Sequence, residues 1–166
     1  MSLAGQRLQP DRYAIIPRTL TFLIRPGEVL LMRVPPGRGA WAGHYNGLGG
    51  HLERGEDPLG SALREIREET GLVVPSLRLC GVAVIDTQRV PGIGLYVFHG
   101  AAPPGEPSPT PEGTAEWVEV SRLGELPLVE DLPALLPRVL EAEDRPPFCA
   151  AYSYAEDGRL TIRFAE

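Results

Sequence analysis

Apolar positions come in short runs separated by turn residues, and the spacing within each run predicts the element. Residues 13–24 are rich in β-branched and aromatic side chains, and residues 28–34 form a second apolar run behind the turn signal Arg25-Pro26-Gly27; together they predict a β-hairpin. Residues 35–39 read as a loop, and residues 41–48 lead into Gly49-Gly50. A helix is expected next, with Asp57 as N-cap, Pro58 at the first helical position and Gly71 at the left-handed C-terminal stop. Its apolar face would carry Leu59, Ala62, Leu63 and Ile66. Residues 77–86 and 94–99 are strand-like and expected to pair, and residues 116–120 alternate like an edge strand. Between them, residues 103–111 hold five prolines in nine positions, which cannot donate a sheet ladder and must form an exposed connection. Leu132, Leu135, Leu136, Val139 and Leu140 make a helical stripe that Pro137 should kink or shorten. The alternation of Phe148, Ala150, Tyr152 and Tyr154, the turn Glu156-Asp157-Gly158, and then Leu160, Ile162 and Phe164 predict a terminal hairpin over residues 148–164.

The 166 residues show no internal repeat and no domain boundary, so a single domain over residues 1–166 is expected. All 16 basic side chains are arginine. Without lysine, neither Schiff-base chemistry nor a P-loop is available. The net charge of −6 argues against binding duplex nucleic acid. Cys80 and Cys149 are far apart and suggest neither a disulfide framework nor a zinc site, which fits a reducing cytoplasm. No apolar run is long enough for a membrane span, and no signal-peptide pattern opens the chain. Partners are therefore expected to be small molecules, with the chain a monomer or homodimer.

The informative chemistry lies on the first helix. Glu65, Glu68 and Glu69 fall at i, i+3 and i+4, so their side chains share one face beside the apolar one. Three carboxylates this close repel one another unless a cation offsets them, and Mg²⁺ or Mn²⁺ suits such oxygen donors. Carboxylates interleaved with Arg64 and Arg67 would on their own be a solvated charged face. The whole pattern is more specific: Gly50, Glu56, Arg64, Glu65, Glu68, Glu69 and Gly71, with Ile66 and Leu72, fit G-x5-E-x7-R-E-U-x-E-E-x-G-U at every position, where U is bulky aliphatic. Seven fixed residues at roughly one in fifteen each give chance odds on the order of one in a hundred million per start site.

This pattern, spanning residues 50–72, resembles the signature of the Nudix hydrolases. The resemblance implies an α/β/α sandwich with a mixed β-sheet and a loop-helix catalytic box, a divalent metal (Mg²⁺ or Mn²⁺), and hydrolysis of a nucleoside diphosphate linked to a further group X. It makes Glu68 and Glu69 the expected metal ligands, with the backbone carbonyl of Gly49. Arg64 would hold the Glu68 carboxylate in place. Glu65 is either the general base for the attacking water or a further metal ligand. Glu56 would brace the loop in preference to binding metal, with Gly50 and Gly71 as structural positions of the box. A carboxylate from outside the box is assigned to Glu112, with Glu116 and Glu106 as the alternatives; a solvated loop acid is the other reading of Glu112.

For substrate, Tyr45-Asn46-Gly47-Leu48-Gly49-Gly50-His51 resembles the W-N-G-F-G-G-K tract of oxidised-purine nucleoside triphosphatases of the MutT type, with Tyr45 for Trp and His51 for Lys. Asn46 would then read the base edge. Glu130 and Asp131 stand where such enzymes set paired acids against a purine, although a helix cap explains them equally well. The proline and tyrosine that mark ADP-ribose pyrophosphatases and dinucleoside-polyphosphate hydrolases are missing; Thr87 and the stretch Gln88 to Val90 occupy those places. The expected reaction is conversion of a nucleoside triphosphate to monophosphate and pyrophosphate. ADP-ribose, a dinucleoside polyphosphate or a non-catalytic nucleotide-sensing role are the alternatives.

Overall fold

The computed structural model describes residues 11–37 and 39–165. Among these, the strands are β1 (Ile15–Arg25), β2 (Glu28–Arg33), β3 (Tyr45–Asn46), β4 (Arg78–Ile85), β5 (Gly92–Ala101), β6 (Thr114–Glu119), β7 (Phe148–Tyr154) and β8 (Leu160–Phe164). The α-helices are α1 (Pro58–Thr70) and α2 (Leu132–Leu140). The strands form one mixed sheet in the order β3-β2-β1-β5-β4-β7-β8, with β6 added on β2. β1 runs parallel to β5, and β4 parallel to β7.

Period-two alternation along the central strands divides the interior into two cores. Leu20 and Phe22 of β1, with Val29 and Leu31 of β2, face the layer closed by Leu132, Leu135, Leu136 and Val139 of α2. Leu23 of β1, with Leu30 and Met32 of β2, faces the opposite way, against Ile66 of α1 and against Leu48, Leu72 and Val74. The sheet is therefore covered by a helix on each face, the sandwich expected from the sequence. No helix among the described residues is long and apolar enough to cross a membrane.

Several elements differ from expectation in instructive ways. The β1–β2 hairpin exists but pairs only at Ile24 with Val29 and Arg25 with Glu28. Beyond the turn β2 diverges and takes β6 along its whole length, while the vacated edge of β1 is filled by the glycine segment: Leu48 exchanges both backbone hydrogen bonds with Thr21, and Thr19 N–H donates to the Gly50 carbonyl at 2.9 Å. Both faces of β1 are buried, so local periodicity could not fix which strand pairs with which edge. β4 and β5 pair antiparallel, β7 and β8 form the terminal hairpin, and among the described residues β6 pairs only with β2. α2 runs through Pro137 and ends at Leu140, because four buried leucine and valine side chains hold it to the sheet despite the lost backbone donor. Leu59, expected on the apolar face of α1, is instead 40% exposed at the first turn.

Candidate active site

The ends of α1 are set as the sequence indicates. The Asp57 carboxylate accepts from the backbone N–H groups of Leu59 and Gly60 at 2.9 and 3.0 Å, and Gly71 closes the helix in the left-handed conformation at φ 73°. The buried stripe of α1 includes Ser61, Ala62, Glu65, Ile66, Glu69 and Thr70, so two of its glutamates belong to the buried face. That position in the interior separates them from an ordinary solvated charged surface.

Arg64 organises the mouth of the site. Its guanidinium donates to Glu56 at 2.6 and 3.0 Å, to Glu65 at 2.9 Å, to Glu68 at 2.9 Å and to the His51 carbonyl at 3.1 Å. Glu56 also accepts from the Glu53 N–H at 2.9 Å and so ties the loop preceding α1 to the helix. The hydrogen bond from Arg64, helped by that backbone donor, pulls the Glu56 carboxyl down to about 2. The hydrogen bond to Glu56, reinforced by those to Glu65 and Glu68, holds the Arg64 guanidinium charged and raises its pKa above the ordinary value.

Carboxylate oxygens of the buried Glu65 and Glu69 and of the exposed Glu112 lie within 4.8 Å of one another. Burial pushes the Glu69 carboxyl up to about 8, against a 2.8 Å hydrogen bond from the Gly49 N–H, and the neighbouring acids push it further in the same direction. Burial raises Glu65 as well, while Arg64 opposes it. Gly49 lies between residues bonded to β1, so its peptide edge turns toward α1; its carbonyl accepts from no protein donor among the described residues. Three converging carboxylates and an unspent carbonyl are a hard oxygen donor set of the kind that suits a divalent cation.

The glycines make this approach possible. A Cβ on Gly49, whose φ is 138°, would fall 2.2 Å from the Thr19 carbonyl oxygen, and one on Gly50 would fall 2.4 Å from the Glu65 carboxylate. The remaining acids named from the sequence go elsewhere. Glu68 pairs with Arg64 outside the three-carboxylate cluster, Glu106 forms an ion pair with Arg25, and Glu116 accepts from the Tyr45 hydroxyl at 2.9 Å. Glu112 is brought in by the proline-stiffened loop, whose Ser108 N–H donates to the Thr70 carbonyl at the end of α1.

The same glycine pair lines a cavity of about 380 Å³ on the other side, within the range of small-molecule sites. Asn46, Glu130 and Asp131 all line it. The Asn46 carboxamide oxygen accepts from Gly47 N–H at 2.8 Å, leaving its amino group free to donate. Asp131 occupies the N-cap position of α2 but makes no side-chain cap, so its carboxyl is not spent on the helix. Burial raises its pKa. Glu130 accepts from the Tyr154 hydroxyl at 2.7 Å.

Several lining residues escaped the sequence reading. Tyr152 and Tyr154 come from β7, far along the chain, and their alternation signalled only a hairpin. Tyr152 sits beside Asp131 with its buried hydroxyl in no well-formed hydrogen bond, and burial pushes the Tyr154 hydroxyl up to about 12. Ile85, Ile93, Leu95 and Val129 supply apolar walls, Trp41 stands at the rim, and Arg18 enters from β1. Long-range pairing of β1 with β5, β5 with β4 and β4 with β7 brings the strand residues among these together.

Comparison with known proteins identifies the family and the fold. A family model described as NUDIX domain matches residues 16–139. The oxidized purine nucleoside triphosphate hydrolase of Danio rerio is 31% identical over 106 residues, covering 63% of this chain and 67% of that protein. The mouse (Mus musculus) protein of the same name is 27% identical over 143 residues, covering 86% and 88% of the two chains. The crystal structure of a MutT protein from Bacillus halodurans superposes with a TM-score of 0.75 at 27% identity, covering 90% of this chain and 97% of its own.

Proposed function

Because the chain belongs to the NUDIX domain family, we propose that it is a divalent-metal-dependent hydrolase of purine nucleoside triphosphates, oxidised forms included, releasing nucleoside monophosphate and pyrophosphate. One observation carries the reading: the Gly49-Gly50 pair is shared by a nucleoside-sized cavity on one side and a convergent carboxylate cluster on the other. A base held in the cavity would direct its phosphates over the glycines toward the acids.

Glu69, Glu65, Glu112 and the Gly49 carbonyl would hold Mg²⁺ or Mn²⁺, and Glu68 would join them only by turning away from Arg64. When bound, the cation would polarise phosphoryl oxygens, lower the pKa of a water and stabilise the departing phosphate. Glu65, within the cluster, would either share the metal or accept the proton of the attacking water. Arg64 keeps the Glu65 and Glu68 carboxylates oriented and ties them to Glu56 and the loop. At the far end, Asn46 offers amide donors, and the Asp131 carboxylate, not spent as a helix cap, offers acceptors toward a purine edge. The tyrosines of β7 and the apolar walls keep water away from those contacts.

Base recognition supplies the test. Asp131→Ala is expected to lower kcat/KM for the preferred purine triphosphate by about 10- to 100-fold, the worth of one or two buried charge-assisted hydrogen bonds. A pyrimidine triphosphate hydrolysed slowly by the wild type should change little. Parallel steady-state kinetics on the two substrates decide it; an equal loss on both would show that Asp131 supports the fold and does not read the base.

A further inference from the structure

The chain has no lysine, so any side-chain cation that meets a phosphate directly is an arginine. Arg64 is committed to three carboxylates and a carbonyl. Arg25 is paired with Glu28 and Glu106, Arg122 with Glu125, and Arg145 with Glu141. Arg18 differs from all of these. It forms no ion pair among the described residues, although the chain carries 22 acids against 16 arginines. Its Nε is fully buried and has no hydrogen-bond partner. A buried guanidinium donor left unpaired is costly, and a persistent one calls for a ligand to complete it.

Its location says which ligand. On β1, Arg18 lies on the same face as Leu20, opposite Leu95 of β5 on one side and bridged to His51 on the other. All four line the nucleoside-sized cavity, and Arg18 is the one arginine among the described residues that does so. Asn46 and Asp131 occupy the same cavity, while Gly49, Gly50 and His51 mark its border with the carboxylate cluster. The acids lining the cavity do not claim Arg18: Glu130 is bonded to Tyr154, and Asp131 forms no ion pair with it.

We propose that Arg18 binds the polyphosphate of the nucleotide, its guanidinium donating to non-bridging phosphate oxygens where the cavity meets residues 49–51. The inference rests on the nucleoside triphosphate reading above and adds the cation that reading lacks. The planar fork of arginine suits two oxygens of one phosphate. Arg18 thereby distinguishes a nucleotide from a nucleoside, separately from the base contacts of Asn46 and Asp131 and from the acids that would hold metal.

Two variants test it. Arg18→Met keeps the apolar stem and removes the charge; Arg18→Lys keeps the charge and removes the fork. Calorimetry with Mg²⁺ present would compare binding of the α,β-imido analogue of a purine triphosphate with binding of the parent nucleoside, alongside KM and kcat on the hydrolysable triphosphate. Arg18→Met is expected to weaken the analogue by about 10- to 100-fold and to raise KM in proportion, with kcat nearly unchanged and nucleoside affinity unaltered. Arg18→Lys should recover part of the loss. Should the methionine variant fail to fold, the lysine variant decides alone: analogue binding weaker by about three- to tenfold, with unaltered nucleoside binding, supports the assignment. Wild-type affinity for the analogue in the folded variants, or an equal loss for nucleoside and analogue, overturns it. A wild-type protein that turns over triphosphates beside an unaffected Arg18 variant sinks this assignment alone. A wild-type protein that neither binds nor hydrolyses any nucleoside triphosphate removes the parent reading and this one with it.

Discussion

Glu69→Gln should lower metal-dependent kcat/KM by about a thousandfold or more while leaving the protein folded. The substitution keeps the size of the side chain and can still accept from the Gly49 N–H. It removes the charge that, with Glu65 and Glu112, would hold the cation. Its effect on stability has the opposite sign. Burial lifts the folded-state pKa of Glu69 from 4.5 to about 8, so the folded protein holds that proton more tightly than the unfolded chain does. In the absence of metal, Glu69 therefore costs nothing below about pH 4, and stability falls as pH rises through the interval up to about 8. Glutamine does not ionise and escapes that loss. Metal-free Glu69→Gln is expected to melt at or above the wild-type temperature, with a wider gap at pH 8 than at pH 5. Added Mg²⁺ should raise the wild-type Tm and leave the variant nearly unmoved. Retained wild-type turnover would show that Glu69 is not a ligand, and a variant melting low at every pH would assign the lost activity to misfolding.

The second large effect concerns a residue with no side chain. Gly49→Ala places a methyl group 2.2 Å from the Thr19 carbonyl oxygen at φ 138°, and neither the oxygen nor the strand that carries it can move without breaking the edge of β1. Clash and backbone strain together should cost about 3 kcal/mol or more, lowering Tm by roughly 6–12 °C and removing most activity through displacement of the glycine pair. Gly55→Ala is the control. Gly55 also has positive φ, at 91°, but an added Cβ meets nothing within 4 Å. It should cost only the conformational strain, about 1 kcal/mol. Equal shifts in the two variants would show that close approach to β1 is not what demands glycine at position 49.

The local elements were largely legible in the chain because local rules decide them. Asp57, Pro58 and Gly71 bound α1 through capping chemistry, and period-two alternation marks β7 and β8. The acids of the box were legible by spacing on a helix. What spacing alone could not settle was depth: Glu65 and Glu69 are nearly buried, whereas Glu68, one residue from Glu69, turns outward to Arg64. The hairpin of β1 and β2 was legible, but how far it pairs was not, for a related reason. With both faces apolar, the strand carries no mark of which edge takes β2 and which takes residues 48–51. The cavity was half visible. Asn46, Glu130 and Asp131 could be named from their neighbours in sequence, but Arg18, Tyr152 and Tyr154 join them through long-range strand pairing, which leaves no local trace.

The central claim is that a purine nucleoside triphosphate held in this cavity is cleaved to monophosphate and pyrophosphate by a metal-loaded carboxylate cluster. The most direct measurement is kcat/KM, with product identification, for the purified protein against canonical and oxidised purine triphosphates, pyrimidine triphosphates, ADP-ribose and dinucleoside polyphosphates, each with Mg²⁺ and with chelator. The expected result is highest kcat/KM on a purine triphosphate, pyrophosphate as the co-product, and loss of turnover with chelator. Turnover of no member of the panel, release of orthophosphate in place of pyrophosphate, or rates unaffected by chelator would contradict it.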